Sequence, residues 1–214
     1  MFFKSLREDI NFAKQCDPAA RSKFEIFLAY SGVKALSAHR RANFFYRIGF
    51  KLLARLVSER AKRRTGIEIH PAAKISSGVF IDHGSGVVIG ETAVVEKGVI
   101  LYQGVTLGGT GKEKGAKRHP TIKQNCVISS GAKILGNITI GEHSKIGAGS
   151  VVLKDIPPHS TVVGIPGRIV RINGEKFDDS DEKRDIILEE LCRLRARVDE
   201  LENKLSEGDK NEDI

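Results

Sequence analysis

The chain has no tryptophan, one methionine and only three cysteines among its 214 residues. Three cysteines in a chain this long do not make a disulfide framework. No apolar run reaches the ~18 residues that a membrane-spanning helix needs. The opening, MFFKSLREDI, lacks the long apolar stretch after a basic region that marks a secretory signal. These absences lead to the expectation of a reduced, cytoplasmic protein with no membrane partner. The hydrophobic share of 40% is enough for a buried core and excludes wholesale disorder. The length suits one or two domains.

Acidic residues are outnumbered, 27 against 35 Lys and Arg, for a formal net charge of +8. A basic balance raises nucleic acid or an anionic ligand as a partner. The charge is uneven, however. Residues 1–66 hold 15 basic and 5 acidic residues, net +10. Residues 67–168 are net +4, and residues 169–214 are net −6. The basic segment has no nucleic-acid-binding motif and no aromatic interleaving, so no nucleic-acid partner is expected.

The first segment reads as helix. Asp17-Pro18 has the form of a helix start, with Asp as N-cap and Pro at the first helical position. Phe24, Phe27, Leu28 and Ser31 then share a face that Gly32 interrupts. A second helix is expected from about Val33 into the 60s, with Phe44, Phe45, Ile48, Leu52, Leu56 and Val57 as its apolar stripe. Arg60, Lys62, Arg63, Arg64 and Gly66 suit its C-terminus. A short helix before Cys16 would use Leu6, Ile10 and Ala13.

The middle segment repeats every six residues. Ile69, Ile75 and Ile81 are followed by Ile89, Val95, Leu101 and Leu107, then by Ile122, Ile128, Ile134, Ile140, Ile146 and Val152. A period of six fits neither a 3.6-residue helix nor one long strand. It fits a short strand and a corner, repeated, with three units to one triangular coil of a parallel β-helix. The last segment is acidic. Its Ile187, Leu191, Leu194, Val198, Leu201 and Leu205 form an a/d heptad seam, followed by a polar end. The expected architecture is α+β: a helical region over 1–66, a parallel β-helix over 67–172, and a heptad helix with a flexible tail over 173–214.

The two breaks in the period hold the candidate chemistry. Between Ile81 and Ile89 lies Asp82-His83-Gly84-Ser85-Gly86. A histidine beside a carboxylate suits a general base near neutral pH. The same five residues also make good turn chemistry. Between Leu107 and Ile122 lies GGTGKEKGAKRHPT, where Arg118 and His119 suit a carboxylate or phosphate. A solvated basic loop is the alternative. GGTGK is no phosphate loop, because Lys112 is followed by Glu113 rather than Ser or Thr. His70, His83 and His119 lack the spacing of a zinc site, so no metal is expected.

IEIHPAAKI, IDHGSGVVIGETAVV, QGVTLGGTGKEKG, RHPTI, GAKILGNITIG, SKIGAGSVVL and VVGIPGRIV together resemble the serine O-acetyltransferases. The likeness covers about residues 5–172. It implies a left-handed β-helix and trimers or dimers of trimers with sites between neighbouring β-helices. The implied reaction moves acetyl from acetyl-CoA to the L-serine hydroxyl. His83 would be the base, and Glu68 would orient it, standing where many members have Asp. Asp17 and Asp82 would meet the serine, Arg118 and His119 its carboxylate. Gly109, on the serine side, and Gly108, on the CoA side, would let backbone approach the reacting centre, and Glu91 lies near the site.

Ser130, Gly131, Ala148 and Gly149 match the path of the CoA arm, with Lys145, Lys154 and Arg168 as candidates for its phosphates. The resemblance also implies L-cysteine as feedback inhibitor through the serine contacts. It further implies capture of the terminal Ile214 by O-acetylserine sulfhydrylase. The readings weighed beside it are an acyltransferase for another hydroxylated acceptor and a non-catalytic β-helix scaffold that binds a partner through its C-terminus.

Overall fold

The computed structural model describes residues 2–111, 115–177 and 190–198. Two compact units divide the chain, Met1–Lys176 and Phe177–Ile214.

Four helices open the first unit: α1 (Phe2–Cys16), α2 (Lys23–Ala29), α3 (Ser31–Arg47) and α4 (Lys51–Thr65). Ala13 of α1 is buried with Ile26, Val33 and Phe80, and Leu6 and Ile10 pack against them. Asp17 does not cap α2. Its Oδ1 accepts the Ala19 N–H at 2.8 Å, which closes a local turn. The cap is Ser22, whose Oγ accepts from the Glu25 N–H at 3.1 Å. The expected second helix is two. Gly49, at φ +94°, turns the chain between α3 and α4, a conformation glycine adopts without Cβ strain.

The apolar stripe is likewise not the buried one. Phe44, Ile48, Leu52 and Leu56 are half or more exposed in the single chain. Small residues instead bury the inner side of α3, with Ala35, Ala38 and Ala42 beside Val33 and Leu36. Close approach explains the choice, since a Cβ on Gly32 would stand 2.1 Å from the Ile81 carbonyl oxygen.

Short strands follow at the six-residue spacing. They are β1 (Glu68–Ile69), β2 (Lys74–Ile75), β3 (Phe80–Ile81), β4 (Val88–Ile89), β5 (Val94–Val95), β6 (Ile100–Leu101) and β7 (Thr106–Gly108). After the long insert come β8 (Thr121–Ile122), β9 (Val127–Ile128), β10 (Lys133–Leu135), β11 (Thr139–Ile140), β12 (Lys145–Ile146) and β13 (Val151–Val152). Every third strand pairs in parallel. β1, β4, β7, β10 and β13 form a first face, and β2, β5, β8 and β11 a second. The third face is β3, β6, β9 and β12, continued by β14 (Ser160–Val163) and then antiparallel β15 (Arg168–Ile172) and β16 (Glu175–Lys176).

The repeated aliphatics point inward. Ile89, Leu101, Leu107, Ile122, Ile128, Ile134, Ile140 and Ile146 are essentially inaccessible and pack in one core. Burial of each contributes about 1.5–3 kcal/mol. Register survives both breaks. Glu68 pairs with Val88 across the first, and Val95 with Ile122 across the second. The extra residues therefore leave the stack at its corners.

Residues 190–198 of the second unit are helical. Leu191, Leu194 and Val198 of the heptad seam are more than half exposed there. Ile187, Leu201, Leu205 and Ile214 lie outside the described residues.

Candidate functional site

Counting strands in threes places the two breaks on different corners. Asp82-His83 lies between β3 and β4, where the third face turns into the first; we call this edge A. Arg118 and His119 lie between β7 and β8, where the first face turns into the second, edge B. Ser130, Gly131, Ala148 and Gly149 belong to edge A, between β9 and β10 and between β12 and β13. Gly109 and Lys154 belong to edge B, and Gly108 ends β7 beside it. Lys145 and Arg168 lie on the third face. The edges stand one face apart, about four to six residues of extended chain or roughly 13–20 Å.

On edge A, His83 holds a positive φ of 56°, unusual for a residue with a side chain. The Gly84 N–H closes the turn onto the Asp82 carbonyl at 2.6 Å. The Ser31 hydroxyl, first residue of α3, donates to the His83 carbonyl at 3.1 Å. The turn thus presents the imidazole outward, with 72% of its side chain exposed. Asp82 Oδ2 lies 3.9 Å from His83 Nε2. Asp17 faces the same edge. The Tyr30 hydroxyl donates to its Oδ2, and this bond with the Ala19 N–H holds the Asp17 carboxyl below its usual pKa. The same bond pushes the Tyr30 phenol up to about 12.

Glu68 begins the first face, next to this edge, yet it is not paired with the base. Its Oε2 accepts from Lys62 Nζ at 2.6 Å, and the carboxylate within 4 Å of the His83 ring is that of Asp82. Below His83 the corner is built of small residues. The Gly104 N–H bonds to the Ser85 carbonyl, the Gly131 N–H to that of Gln103, and the Gly149 N–H to that of Ser130, each at 2.8 Å. A Cβ on Gly149 would meet nothing within 4 Å, so the edge is open there.

Edge B is more tightly built. Arg118 Nη2 lies 3.1 Å from Glu91 Oε2. His119 is almost fully buried, and its ring lies against Gly90, where a Cβ would stand 1.9 Å from the ring carbon Cδ2. Only glycine leaves room for that ring. Its Nδ1 accepts the Thr92 N–H at 3.2 Å and lies 2.9 Å from Thr92 Oγ1. Burial first, then the Arg118 guanidinium, lowers the His119 pKa. With Nδ1 accepting the Thr92 N–H, the neutral ring carries its proton on Nε2. Lys117 Nζ ties the loop end down through the His119 carbonyl at 2.7 Å.

One chain therefore presents two separate groups of candidate residues. Edge A has an exposed imidazole flanked by two carboxylates and an open, small-residue corner. Edge B has a guanidinium and a fixed imidazole N–H donor, a pair suited to a carboxylate. Sequence reasoning missed Tyr30, Ser31, Gly90 and Thr92, which hold the reactive groups from behind. Among the described residues no group of three His, Cys, Asp or Glu side chains is placed to hold a metal ion. No helix there is long and apolar enough to cross a membrane.

Known proteins share this build. Residues 119–154 match the family model described as bacterial transferase hexapeptide (six repeats). The serine acetyltransferase of Bacillus pumilus is 52% identical, over 100% of this chain and 99% of its own length. That of Bacillus subtilis is 54% identical over 97% and 96%. The crystal structure of Neisseria gonorrhoeae serine acetyltransferase in complex with serine superposes with a TM-score of 0.76 at 40% identity, covering 79% of this chain and 69% of that one. A serine acetyltransferase in complex with cysteine gives 0.78 at 38% identity, over 83% and 72%.

Proposed function

The chain belongs to the serine acetyltransferases, and from that premise we propose how its residues carry the reaction. It transfers acetyl from acetyl-CoA to the L-serine hydroxyl, giving O-acetyl-L-serine and CoA, a step of cysteine biosynthesis. His83 takes the proton from the serine hydroxyl, and the freed oxygen attacks the thioester carbonyl. The imidazolium left on His83 then returns its proton to the departing thiolate. General-base catalysis of this kind contributes about 10²–10⁴-fold. The exposure of His83 beside Asp82 and Asp17 is the observation that carries the reading.

Asp82 and Asp17 receive the serine ammonium. Arg118 and His119 Nε2–H grip its carboxylate, the guanidinium keeping further N–H donors beyond the one that meets Glu91. Gly108 and Gly109 let the backbone approach at the far side of the clamp. Glu68 takes the place next to the base once its bond to Lys62 yields. Acetyl-CoA supplies the activated acetyl group. Its arm fits the open corner at Ser130, Gly131, Ala148 and Gly149, because an extended pantetheine needs a track of small residues. Lys154, on edge B, serves its phosphates, with Lys145 and Arg168 as further cations.

The separation of the edges supports a composite site. Edge A of one left-handed β-helix would meet edge B of the next in a trimer, which closes after three such contacts. The exposed apolar residues of α4 and of the heptad helix suit further contacts between copies, including a dimer of trimers. L-cysteine, with the same ammonium and carboxylate, would occupy the serine contacts as feedback inhibitor. Ile214 remains a candidate for capture by O-acetylserine sulfhydrylase. The test is CoA release with L-serine, L-homoserine and a sugar, with and without L-cysteine. Turnover with L-serine and inhibition by cysteine are expected. Turnover only with another acceptor would overturn the substrate assignment.

A further inference from the structure

Thr92 sits in the GETA run, where sequence reasoning singled out only Glu91. Its hydroxyl oxygen accepts two backbone N–H groups, from Arg118 and from His119, each at 3.0 Å. With both lone pairs used, the hydroxyl hydrogen points to the remaining neighbour, His119 Nδ1 at 2.9 Å. The Thr92 N–H points to the same nitrogen. Two donors aimed at Nδ1 leave no room for a proton there, so the ring proton must sit on Nε2. One residue thus fixes the backbone of both clamp residues through its hydroxyl, and the tautomer of one through its hydroxyl and its N–H. Lys117 Nζ bonds the Thr92 and His119 carbonyls and so leaves the hydroxyl free for that task.

We propose that Thr92 is the positioning residue of the edge B clamp: its hydroxyl locks Arg118 and His119 in register and, together with its backbone N–H, commits His119 to an Nε2–H donor toward the serine carboxylate. The inference rests on the clamp reading above. Valine matches threonine in shape and removes the hydroxyl, leaving the Arg118 and His119 N–H groups without their acceptor. Loss of hydrogen bonds at a carboxylate site is expected to raise the serine KM about tenfold or more. The kcat and the acetyl-CoA KM should stay near wild type, because His83 and the small-residue corner lie on the other edge. Thr92→Ser keeps the hydroxyl and should restore the serine KM.

The experiment measures steady-state kinetics of Thr92→Val, Thr92→Ser and Arg118→Ala, with ring ¹⁵N shifts of His119 in the wild-type protein. The expected result is a raised serine KM in Thr92→Val, rescue in Thr92→Ser, and an Nε2-protonated ring. An unchanged serine KM in Thr92→Val, beside a raised one in Arg118→Ala, overturns the role of Thr92. So does an Nδ1-protonated ring in the wild type, a readout that needs no variant to fold. An unchanged serine KM in Arg118→Ala overturns the clamp itself, and with it the premise.

Discussion

Mixing two variants impaired on different edges should restore activity at low L-serine. His83→Ala removes the base from edge A, and Arg118→Ala removes the clamp from edge B. Each uniform assembly then lacks one half at every site. In a ring of three, each site joins edge A of one chain to edge B of the next. A ring with two chains of one variant and one of the other has three such junctions. One joins an intact base to an intact clamp. Doubly tagged, purified mixed rings should therefore show about one third of wild-type turnover, and an unsorted equal mixture about one quarter. The base alone is worth about 10²–10⁴-fold, so recovery would stand far above the His83→Ala background. The assay is thiol release from acetyl-CoA after co-expression, at an L-serine concentration that saturates the wild type and lies far below the KM of Arg118→Ala. Mixed rings no more active than the better parent would refute the composite site and require both halves to act within one chain.

Other outcomes follow from the same geometry. Gly90→Ala puts a Cβ into the His119 ring, so it should raise the serine KM strongly; kinetics on the folded variant checks this. Ala148→Leu adds bulk to the open corner and should raise the acetyl-CoA KM at least tenfold while sparing the serine KM, read by varying each substrate in turn. Buried His39 has its pKa lowered to about 4, chiefly by burial and then by Arg40. The unfolded chain titrates near 6.5, so the folded state gains from a neutral ring above that pH. The gain shrinks as pH falls from about 6.5 to about 4, by a total on the order of 3 kcal/mol. Urea unfolding across that window should show the loss, and His39→Gln should flatten it.

The solenoid was legible because its core demands an aliphatic residue at every sixth position, from Ile69 to Val152, whatever the surface does. The insertions were legible as breaks in that count. Their placement on different edges was also available, since the breaks follow the third and the seventh strand, and counting in threes separates them. The helical region was harder. Asp17-Pro18 has the composition of an N-cap, but the Asp17 oxygens are taken by Ala19 and Tyr30, and Ser22 starts α2. The stripe from Phe44 to Leu56 has helical spacing, yet small residues win the inner face because α3 lies tight on the strands. Thr92 and Gly90 carry no reactive group, so nothing in their residue type marks them. Only the ring of His119 lying between them shows what they do.

The most direct test of the account is the rate of CoA release from acetyl-CoA and L-serine by the wild-type protein and by His83→Ala, each checked for assembly. Turnover by the wild type and a fall of about 10²–10⁴-fold in the variant with its oligomer intact are expected. A His83→Ala protein that keeps the wild-type rate would contradict the role of His83 as base.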